Sequence, residues 1–344
     1  MRRTLVPPLA TPPSPPVLGG TAHALHGETM GTTWSVRMVT NAGKLPQLRL
    51  AIQAELDLVV AQMSTWEASS DLSRFNAAAA GSWHRLPAEF FHVLQYALQV
   101  ARESHGAYDP TAGALVNAWG FGPTGRYGEN GFAAPDDAQL EAARARCGWQ
   151  RLELDPATQR ACQPGGMYVD LSAIAKGYGV DQVARRLLQL GVKDFLVEVG
   201  GELRGEGVKP DGQPWWVALE QPLPDTLTSA AGDTAAESGT VAALHGWSAA
   251  TSGDYRRYFE SGRTRYSHTI DPRSGRPIRN GLASVTVLHR SCMTADAWST
   301  ALGVLGADEG CALANSLGLC ALFLRRAQNG FVETLSEPLK ALLD

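Results

Sequence analysis

Two oxygen-bearing side chains one helical turn apart are the first candidates for chemistry. Asp296 and Thr300 lie four residues apart in a segment whose apolar pattern predicts a helix from about Thr294 to Leu305. This spacing places a carboxylate and a hydroxyl on the same helix face. Hard oxygen ligands of this kind suit Mg²⁺, which binds few protein groups and keeps water and substrate phosphate oxygens. An Asp near a helix start is also commonly a cap or a first-turn charge, so both interpretations stay open.

A strand-to-helix junction carries the second candidate. The segment 170–177 joins a predicted strand, Tyr168 to Leu171, to a predicted helix that ends at Gly191, with Lys176 at the helix opening. Free N–H groups at a helix N-terminus, together with a lysine, can bind a phosphate. The spacing is not that of a P-loop. The alternative is an ordinary turn whose lysine is solvated.

Three further segments combine polar residues with turns. Gly200-Gly201-Glu202 and Thr251-Ser252-Gly253-Asp254 each follow an apolar strand, and each is also compatible with a plain β-turn. His268 lies on a predicted strand just before a Pro/Gly turn. No Ser-His-Asp order or G-x-S-x-G motif accompanies it, so a structural histidine is the alternative to a catalytic one.

The elements that position these residues follow from periodicity. Alternation of Trp34, Val36 and Met38 with polar residues predicts a half-buried strand. The stripe of Ile52, Leu56, Val59, Val60 and Met63 predicts a helix. Further helices are predicted from Pro87 to Gly106, from Pro135 to Gly148 and near 310–317, a long ordered loop over 107–134, and strands near 195–199, 215–219, 247–251, 266–270, 284–289 and 321–325. Strands in antiparallel runs interrupted by helices indicate an α+β fold.

Composition limits the class of partner. The chain has 344 residues, 44% of them apolar, and 30 basic against 34 acidic residues give a net charge of −4. No Lys/Arg-rich run indicates nucleic acid or an anionic membrane as the main partner, and no apolar window is long enough for a transmembrane segment. A small molecule is therefore expected. The five cysteines have no C-x-x-C spacing, so we predict mostly buried thiols rather than disulfides or zinc.

The N-terminal segment is ambiguous between a leader and a secretory signal. Arg2 and Arg3, an apolar stretch and the triplet Ala22-His23-Ala24 imitate a signal peptide. Prolines through residues 7–16 interrupt the apolar helix that such a signal needs. We therefore predict a disordered Pro-rich leader over 1–26, one large domain over 27–340, and a flexible insertion near 222–240.

The candidate segments, taken in order, resemble the ApbE family of FAD:protein FMN transferases over roughly residues 28–325. The matching motifs are 28–33 (ETMGTT), 63–66 (MSTW), 71–76 (DLSRFN), 106–111 (GAYDPT), 119–122 (WGFG), 170–177 (DLSAIAKG), 199–202 (VGGE), 250–253 (ATSG), 268–272 (HTIDP) and 295–301 (ADAWSTA). One such motif would be weak evidence for the family, but this many motifs in the same order are strong evidence.

The resemblance implies a fold, an activity and a set of site residues. The fold is similar to the tunnel fold, an α+β domain built on antiparallel sheet with packed helices. The activity is Mg²⁺-dependent cleavage of the FAD pyrophosphate, with transfer of FMN to a Ser or Thr hydroxyl of an acceptor protein and release of AMP. By position, Met30, Trp66, Ala107, Tyr108, Asp109, Asp170, Lys176 and Ile270 match its FAD contacts, and Asp296, Thr300 and the carbonyl of Ala173 match its metal ligands. We include Thr251, Ser252 and Gly253 among the candidate FAD-binding residues.

General chemistry makes these implied roles reasonable. Phosphoryl transfer needs charge neutralisation and positioning, which Mg²⁺ on Asp296 and the charge of Lys176 would supply. Trp66 offers a flat face for the isoalloxazine ring. His268 is the candidate general base for the attacking hydroxyl, and we count it with Asp296 as catalytic.

Departures from the family pattern and two alternatives remain. Trp66 stands where the family often has Tyr, and Asp71 where it often has Glu. The family is commonly exported and lipid-anchored, whereas no cysteine follows this leader, so the location stays open. One alternative is an FAD pyrophosphatase that uses the same site with water as acceptor. The other is a non-enzymatic flavin-binding protein, against which the Asp296/Thr300 pair weighs.

Overall fold

The chain divides into two compact units. The structure, a computed structural model, describes residues 3–9, 20–219, 239–254, 257–261, 264–328 and 330–343. Unit 1 comprises Met1–Asp57, Lys176–Gly253 and Gly281–Asp344, and unit 2 comprises Leu58–Ala175 and Asp254–Asn280. The single domain expected over 27–340 stays a prediction, because a compact unit is not by itself a domain that folds alone.

Strands and helices alternate irregularly along the described residues. The strands are β1 (Arg3–Leu5), β2 (Ala22–Thr29), β3 (Thr32–Val39), β4 (Ser82–Arg85), β5 (Leu154–Asp155), β6 (Arg160–Gln163), β7 (Phe195–Val199), β8 (Glu202–Glu206), β9 (Trp215–Ala218), β10 (Thr240–Leu244), β11 (Trp247–Gly253), β12 (Tyr258–Ser261), β13 (Thr264–Ser267), β14 (Ile270–Asp271), β15 (Arg276–Pro277), β16 (Leu282–His289), β17 (Cys320–Ala327) and β18 (Gly330–Leu335). The helices are α1 (Leu45–Met63), α2 (Asp71–Asn76), α3 (Ala88–Glu103), α4 (Gly113–Ala118), α5 (Asp137–Arg144), α6 (Ala175–Gln189), α7 (Cys292–Leu305), α8 (Ala307–Leu317) and α9 (Glu337–Lys340). None of these helices is long and apolar enough to cross a bilayer.

Unit 1 is built on an eight-stranded antiparallel sheet. Its strand order is β18-β17-β16-β11-β8-β7-β3-β2. Helix α7 packs against β11 and β16. A smaller sheet of order β1-β10-β9 also belongs to unit 1. The α+β class with antiparallel sheet, predicted from the strand pattern, is confirmed.

The core of unit 1 contains the apolar patterns that predicted its elements. Trp34, Val36 and Met38 of β3 are at most 1% exposed, as the alternation requires. They cluster with Ile52 and Leu56 of α1 and with the apolar face of α6. Farther along α1, the same stripe continues through Val59 and Met63, which are also buried but are counted with unit 2. These predictions are confirmed because burying the same stripe is what stabilises both elements.

Unit 2 combines helices with small sheets. A three-stranded sheet has the order β4-β6-β5, and two hairpins are formed by β12 with β13 and by β14 with β15. Helix α3 begins after Pro87, as predicted, and α5 begins with a capping box between Asp136 and Gln139. An apolar cluster that includes Trp119, Phe121 and Phe259 forms part of its core.

Several expectations differ from the structure. Leu5 is fully buried in β1, which pairs in parallel with β10, and Ala22 begins β2, so the leader is not disordered at these residues. Sheet pairing supplies hydrogen bonds and burial that local composition does not indicate. Residues 10–19, and residues 220–238 of the expected insertion, lie outside the described residues, and Thr240 already begins β10.

Three further expectations concern segment 168–171, the loop over 107–134 and the cysteines. Segment 168–171 forms one bridge, Ala112 with Tyr168, instead of a strand. The expected loop over 107–134 contains α4. All five cysteines are free, but only Cys292 and Cys320 are buried and the other three are half-buried, so the expectation of mostly buried thiols is wrong for three of the five.

Candidate functional site

Two tight turns lie at the same end of the large sheet of unit 1. Met30 and Gly31 connect β2 to β3 with φ angles of 49° and 70°, and Gly200 and Gly201 connect β7 to β8 with φ angles of 57° and 96°. Positive φ at both central residues defines the type I′ hairpin turn. The Gly200 N–H donates to the carbonyl of Thr33 at 3.0 Å, so the second turn is fastened next to the first.

Lys176 lies beside this end of the sheet. It is the second residue of α6, and its ammonium group forms an ion pair with Glu202, the first residue of β8. The Glu202 side chain is 2% exposed, whereas that of Lys176 is 28% exposed. A Cβ on Gly200 would lie 2.9 Å from Cγ2 of Thr32 and in ordinary contact, at 3.5 Å, with Cδ of Lys176, so the lysine stem lies next to this turn. Met30 packs near α6, its Cε 3.2 Å from where a Cβ on Gly179 would be.

Asp296 of α7 is a buried carboxylate held at the start of α6. It is 3% exposed, and its Oδ2 accepts a hydrogen bond from the N–H of Gly177 at 2.9 Å. That N–H belongs to the first turn of α6, where backbone donors have no partner within the helix. A Cβ on Gly177 would lie 2.3 Å from the carbonyl oxygen of Cys292, so only glycine allows this approach. The predicted helix is confirmed and begins two residues earlier, at Cys292. The burial of Asp296 was not predicted.

A group of hydroxyls joins the end of β11 to α7. Ser252 Oγ lies 2.8 Å from Thr300 Oγ1 and 2.9 Å from Ser299 Oγ. Ser299 Oγ donates to the backbone carbonyl of Asp296 at 2.8 Å. Thr251 Oγ1 lies 2.8 Å from Thr286 Oγ1 on β16, and Gly253, the last residue of β11, is buried. The segment 251–253 and the Asp296/Thr300 pair therefore form one polar cluster in unit 1.

In unit 2, the segment 107–111 lies next to Asp170. The Asp170 N–H donates to the carbonyl of Pro110 at 2.8 Å, and the Asp170 carboxylate accepts from the N–H of Ser172 at 2.8 Å. Ala107 and Tyr108 are buried, and Tyr108 donates its N–H to Ser104 Oγ at 3.1 Å. Two motifs far apart in the sequence are thus adjacent. Ala173 lies in the turn that leads into α6.

The Asp109 carboxylate is held by a turn of its own. It accepts from the N–H and the hydroxyl of Thr111 at 2.8 and 2.7 Å, and from the N–H of Trp149 at 3.3 Å. Burial raises the pKa of Asp109 above its ordinary value, and these hydrogen bonds oppose that rise only in part. The carboxyl is therefore rigidly placed and unusually ready to take up a proton.

Trp66 presents an aromatic face to solvent. Its side chain is 49% exposed, although large aromatic residues are usually mostly buried. The guanidinium of Arg126 lies 5.4 Å from the ring centroid, within the range of a cation–π interaction. The Trp66 N–H donates to Ser64 Oγ at 3.1 Å, which fixes the turn that carries the ring. Sequence analysis missed Arg126, because it lies in a glycine-rich segment without periodicity.

His268 and Ile270 lie on the hairpins of unit 2. The Nδ1 atom of His268 is 3.0 Å from the carbonyl oxygen of Arg257, and its ring meets that of Phe121 edge-on at 6.3 Å. A carbonyl only accepts hydrogen bonds, so this contact requires the proton on Nδ1 and makes Nε2 the basic nitrogen. Ile270 is 7% exposed and belongs to the apolar cluster around Phe121.

The predicted residues thus form groups within each unit. Unit 1 holds Met30, Lys176, Thr251, Ser252, Gly253, Asp296 and Thr300, and unit 2 holds Trp66, Ala107, Tyr108, Asp109, Asp170, Ala173, His268 and Ile270. No role was predicted for Glu202 or Ser299, although both lie inside the motifs given above. Glu202 could have been found as the ion-pair partner of Lys176, and Ser299 as the residue next to Thr300. Among the described residues, no group of three or more His, Cys, Asp or Glu side chains is placed to hold a metal ion.

Comparison with known proteins agrees with this arrangement of fold and motifs. Residues 30–323 match the model of the ApbE family. A Vibrio cholerae protein named FAD:protein FMN transferase is 40% identical over 321 residues, which are 93% of this chain and 92% of that protein. One from Haemophilus influenzae with the same name is 40% identical over 328 residues, 93% of this chain and 91% of that protein.

A solved structure gives the same result at the level of the fold. The apo form of the flavinyl transferase ApbE from Pseudomonas stutzeri superposes with a TM-score of 0.82 at 40% identity, covering 94% of this chain and 97% of that chain. The fold and the site define an antiparallel α+β protein in which a helix N-terminus, a lysine and two glycine turns lie at one end of the sheet, an arrangement that favours an anionic ligand. The chain belongs to the ApbE family.

Proposed function

We propose that this chain is a Mg²⁺-dependent FAD:protein FMN transferase. Its substrates are FAD and an acceptor protein with a Ser or Thr hydroxyl, and its products are the FMN phosphoester of that protein and AMP. The observation that carries the proposal is the buried Asp296 carboxylate at the N-terminus of α6, beside the hydroxyls of Ser252 and Thr300. Family membership and the names of the relatives support it.

The donor set fits Mg²⁺. Asp296 and Thr300 of unit 1 would hold the cation through a carboxylate and a hydroxyl, both hard oxygen ligands. The resemblance to the family adds the carbonyl of Ala173, which is an oxygen ligand of the same kind. When bound, Mg²⁺ neutralises charge on the pyrophosphate. The hydroxyl of Ser252, 2.8 Å from that of Thr300, orients the Thr300 lone pairs, and the Gly177 N–H fixes one oxygen of Asp296.

Lys176 supplies fixed positive charge for the pyrophosphate. Its ion pair with Glu202 holds the ammonium group near the first turn of α6, where backbone N–H groups also favour an anion. Since Glu202 is buried and Lys176 is partly exposed, the lysine can exchange part of this contact for a phosphate oxygen. Phosphoryl transfer depends mainly on such positioning and charge stabilisation.

Trp66 would bind the isoalloxazine ring. Its exposed face is available for stacking. The guanidinium of Arg126, which lies over the Trp66 ring, adds a positive charge that could bind the flavin phosphate. Ala107, Tyr108, Asp109 and Asp170 lie on adjoining segments of the same unit, which gives FAD a rigid backbone surface. Ile270 contributes through the apolar packing that fixes its hairpin.

His268 would act as the general base. With Nδ1 donating to the Arg257 carbonyl, Nε2 accepts the proton of the attacking acceptor hydroxyl. The hydroxyl oxygen then bonds to the phosphorus of the FMN moiety, and the bond from that phosphorus to the AMP oxygen breaks. The Arg257 carbonyl also stabilises the protonated ring, because it keeps its hydrogen bond throughout.

The deciding experiment measures a mass shift on an acceptor. A candidate acceptor domain is incubated with the protein, FAD and Mg²⁺ and then analysed by intact-mass spectrometry and by AMP release. Transfer predicts a covalent FMN adduct with one AMP per adduct. AMP and free FMN without an adduct would identify a pyrophosphatase instead, and unchanged FAD would leave only flavin binding.

A further inference from the structure

Helices α6 and α7 cap each other through two carboxylates. Asp296 of α7 accepts from the N–H of Gly177 at 2.9 Å, in the first turn of α6. Asp181 of α6 accepts from the N–H groups of Cys292 and Met293 at 3.0 and 3.1 Å, in the first turn of α7. Each helix therefore satisfies backbone donors that the other leaves without a partner.

The two contacts have the same spacing on both helices. Gly177 and Asp181 are four residues apart on α6, and Cys292 and Asp296 are four residues apart on α7. The pairs run in opposite directions, since the earlier residue of each helix meets the later residue of the other. A slip of α7 along α6 would therefore break both caps at once, at a point where the backbones approach so closely that a Cβ on Gly177 would lie 2.3 Å from the carbonyl oxygen of Cys292.

Asp181 is the more heavily bonded of the two carboxylates. Its Oδ1 accepts from Arg204 Nη1 at 2.8 Å as well as from Cys292, and its Oδ2 accepts from Ser291 Oγ at 2.8 Å as well as from Met293. Asp181 is 9% exposed. Four donors thus converge on one buried carboxylate, which no uncharged side chain of the same size can satisfy.

Arg204 ties this carboxylate to the sheet. Its Nη1 also donates to the carbonyl of Arg290 at 2.9 Å, just before α7, and its Nη2 donates to Glu206 at 2.8 Å within β8. The start of α7 is therefore held from both α6 and β8. Asp296 lies one turn further along α7, so the direction of its carboxylate depends on this anchor.

We propose that Asp181 is a positioning residue for the cation and pyrophosphate site. It acts through α7, holding the register in which Asp296 keeps one oxygen on Gly177 and directs its charge to the ligand. This inference rests on the proposed function for the identity of the ligand. A residue that serves only the fold would change stability without changing metal affinity.

The test compares Asp181→Asn with a matched control. Asparagine keeps the size, but its amide nitrogen would face two of the four donors and it removes the charge opposite Arg204. The control is Ser336→Ala, which removes a buried cap of α9, elsewhere in unit 1, where Ser336 Oγ accepts from Ala321 and donates to Leu319. Both variants are compared with the wild type by thermal unfolding.

Metal affinity is measured without turnover. Mn²⁺ takes the same oxygen ligands as Mg²⁺, so its binding to the FAD-free protein is followed by electron paramagnetic resonance. We expect Asp181→Asn to weaken Mn²⁺ binding and to raise the Mg²⁺ concentration for half-maximal transfer, each by about 10–100-fold. Ser336→Ala is expected to lower the melting temperature, while the Mn²⁺ affinity and the Mg²⁺ concentration for half-maximal transfer stay unchanged.

The outcomes separate the inference from the proposed function. Unchanged Mn²⁺ binding in Asp181→Asn, with a lowered melting temperature, would overturn the positioning role. A wild type that binds Mn²⁺ but transfers no FMN would overturn the proposed function alone. If Asp181→Asn does not fold, Ser291→Ala removes one of the four donors, and a smaller shift in the same direction is expected; no shift would overturn the role.

Discussion

The hydroxyl oxygen of Ser252 lies 2.8 Å from that of Thr300. One residue belongs to the glycine-containing end of β11, and the other lies one helical turn beyond Asp296 on α7. Sequence analysis assigned the first to FAD and the second to the metal. Their contact shows that these two groups of unit 1 share a hydrogen-bond network, so a change in one is expected to affect the other.

Asp296→Asn is expected to abolish transfer while the protein stays folded. The amide oxygen still accepts from Gly177, so the first turn of α6 keeps its cap, but the charge that would hold Mg²⁺ is lost. Asp296→Ala is a poorer test because it also removes the cap. Single-turnover transfer is measured across a Mg²⁺ titration, with circular dichroism to check folding. Near-wild-type transfer at limiting Mg²⁺ would exclude Asp296 as a ligand.

Trp66→Ala is expected to weaken FAD binding by about 1–3 kcal/mol, taking base–aromatic stacking as the nearest analogue. Trp66→Tyr keeps an aromatic face and is expected to have a small effect. Trp83→Ala is the matched control, because Trp83 is 42% exposed and carries Arg160 at 5.7 Å from its ring. Fluorescence titration with FAD gives the affinities, and equal losses at both tryptophans would argue against a flavin platform.

His268→Asn is expected to slow the chemical step by about 10²–10⁴-fold without loss of FAD binding. In the wild type, the rate is expected to fall at low pH, because a protonated imidazole cannot accept the hydroxyl proton. Single-turnover transfer is measured against pH at saturating Mg²⁺ and FAD. If His268→Asn has the wild-type rate and shows the same fall in rate at low pH, His268 has no part in the proton transfer.

Asp109 is expected to make stability depend on pH. Because burial raises its pKa in the folded state, the unfolded chain ionises first as pH rises. Stability contributed by the protonated group is full below the ordinary value of 3.8 and is lost as pH rises through the raised folded value. The free energy of unfolding, measured by urea denaturation, is therefore expected to fall relative to Asp109→Asn across this window. A constant difference would show that burial does not perturb this carboxyl.

Gly177→Ala is expected to destabilise the protein by about 1–3 kcal/mol, since the added methyl would meet the backbone carbonyl of Cys292 at 2.3 Å. This exceeds the gain of about 0.5–1 kcal/mol that alanine gives within a helix. Gly303→Ala in α7 is the control, because its nearest neighbour is Val285 Cγ2 at 4.0 Å, and it is expected to be neutral or stabilising. Urea denaturation measures both, and equal stabilities would contradict the tight approach.

Local patterns predicted the elements that bury one periodic face. The alternation in β3 and the apolar stripe of α1 are read directly from the sequence, because periodicity and burial have the same cause. The helix that carries Asp296 and Thr300 was predicted for the same reason. The resemblance supplied the candidate residues of unit 2, where Ala107 to Asp109 carry no periodic signal.

Contacts between distant segments could not be predicted in this way. The Arg126 guanidinium on Trp66 joins two segments that have no local signal for each other. Strand β1 forms because β10 offers an edge, although its own composition indicated a disordered leader. The hydrogen bond from the Gly177 N–H to Asp296 could not be predicted either, because a glycine has no side chain that would indicate a partner.

The reciprocal caps of α6 and α7 also limit the order in which native contacts can form while the chain is being synthesised. The Gly177 donor and the Asp296 acceptor are separated by 119 residues. At a translation rate of about 5–20 residues per second, α6 emerges from the ribosome about 6–24 seconds before the side chain that caps it. During that interval the Gly177 N–H has no carboxylate of α7 to donate to, so the first turn of α6 gains its full set of native contacts only after α7 has been synthesised.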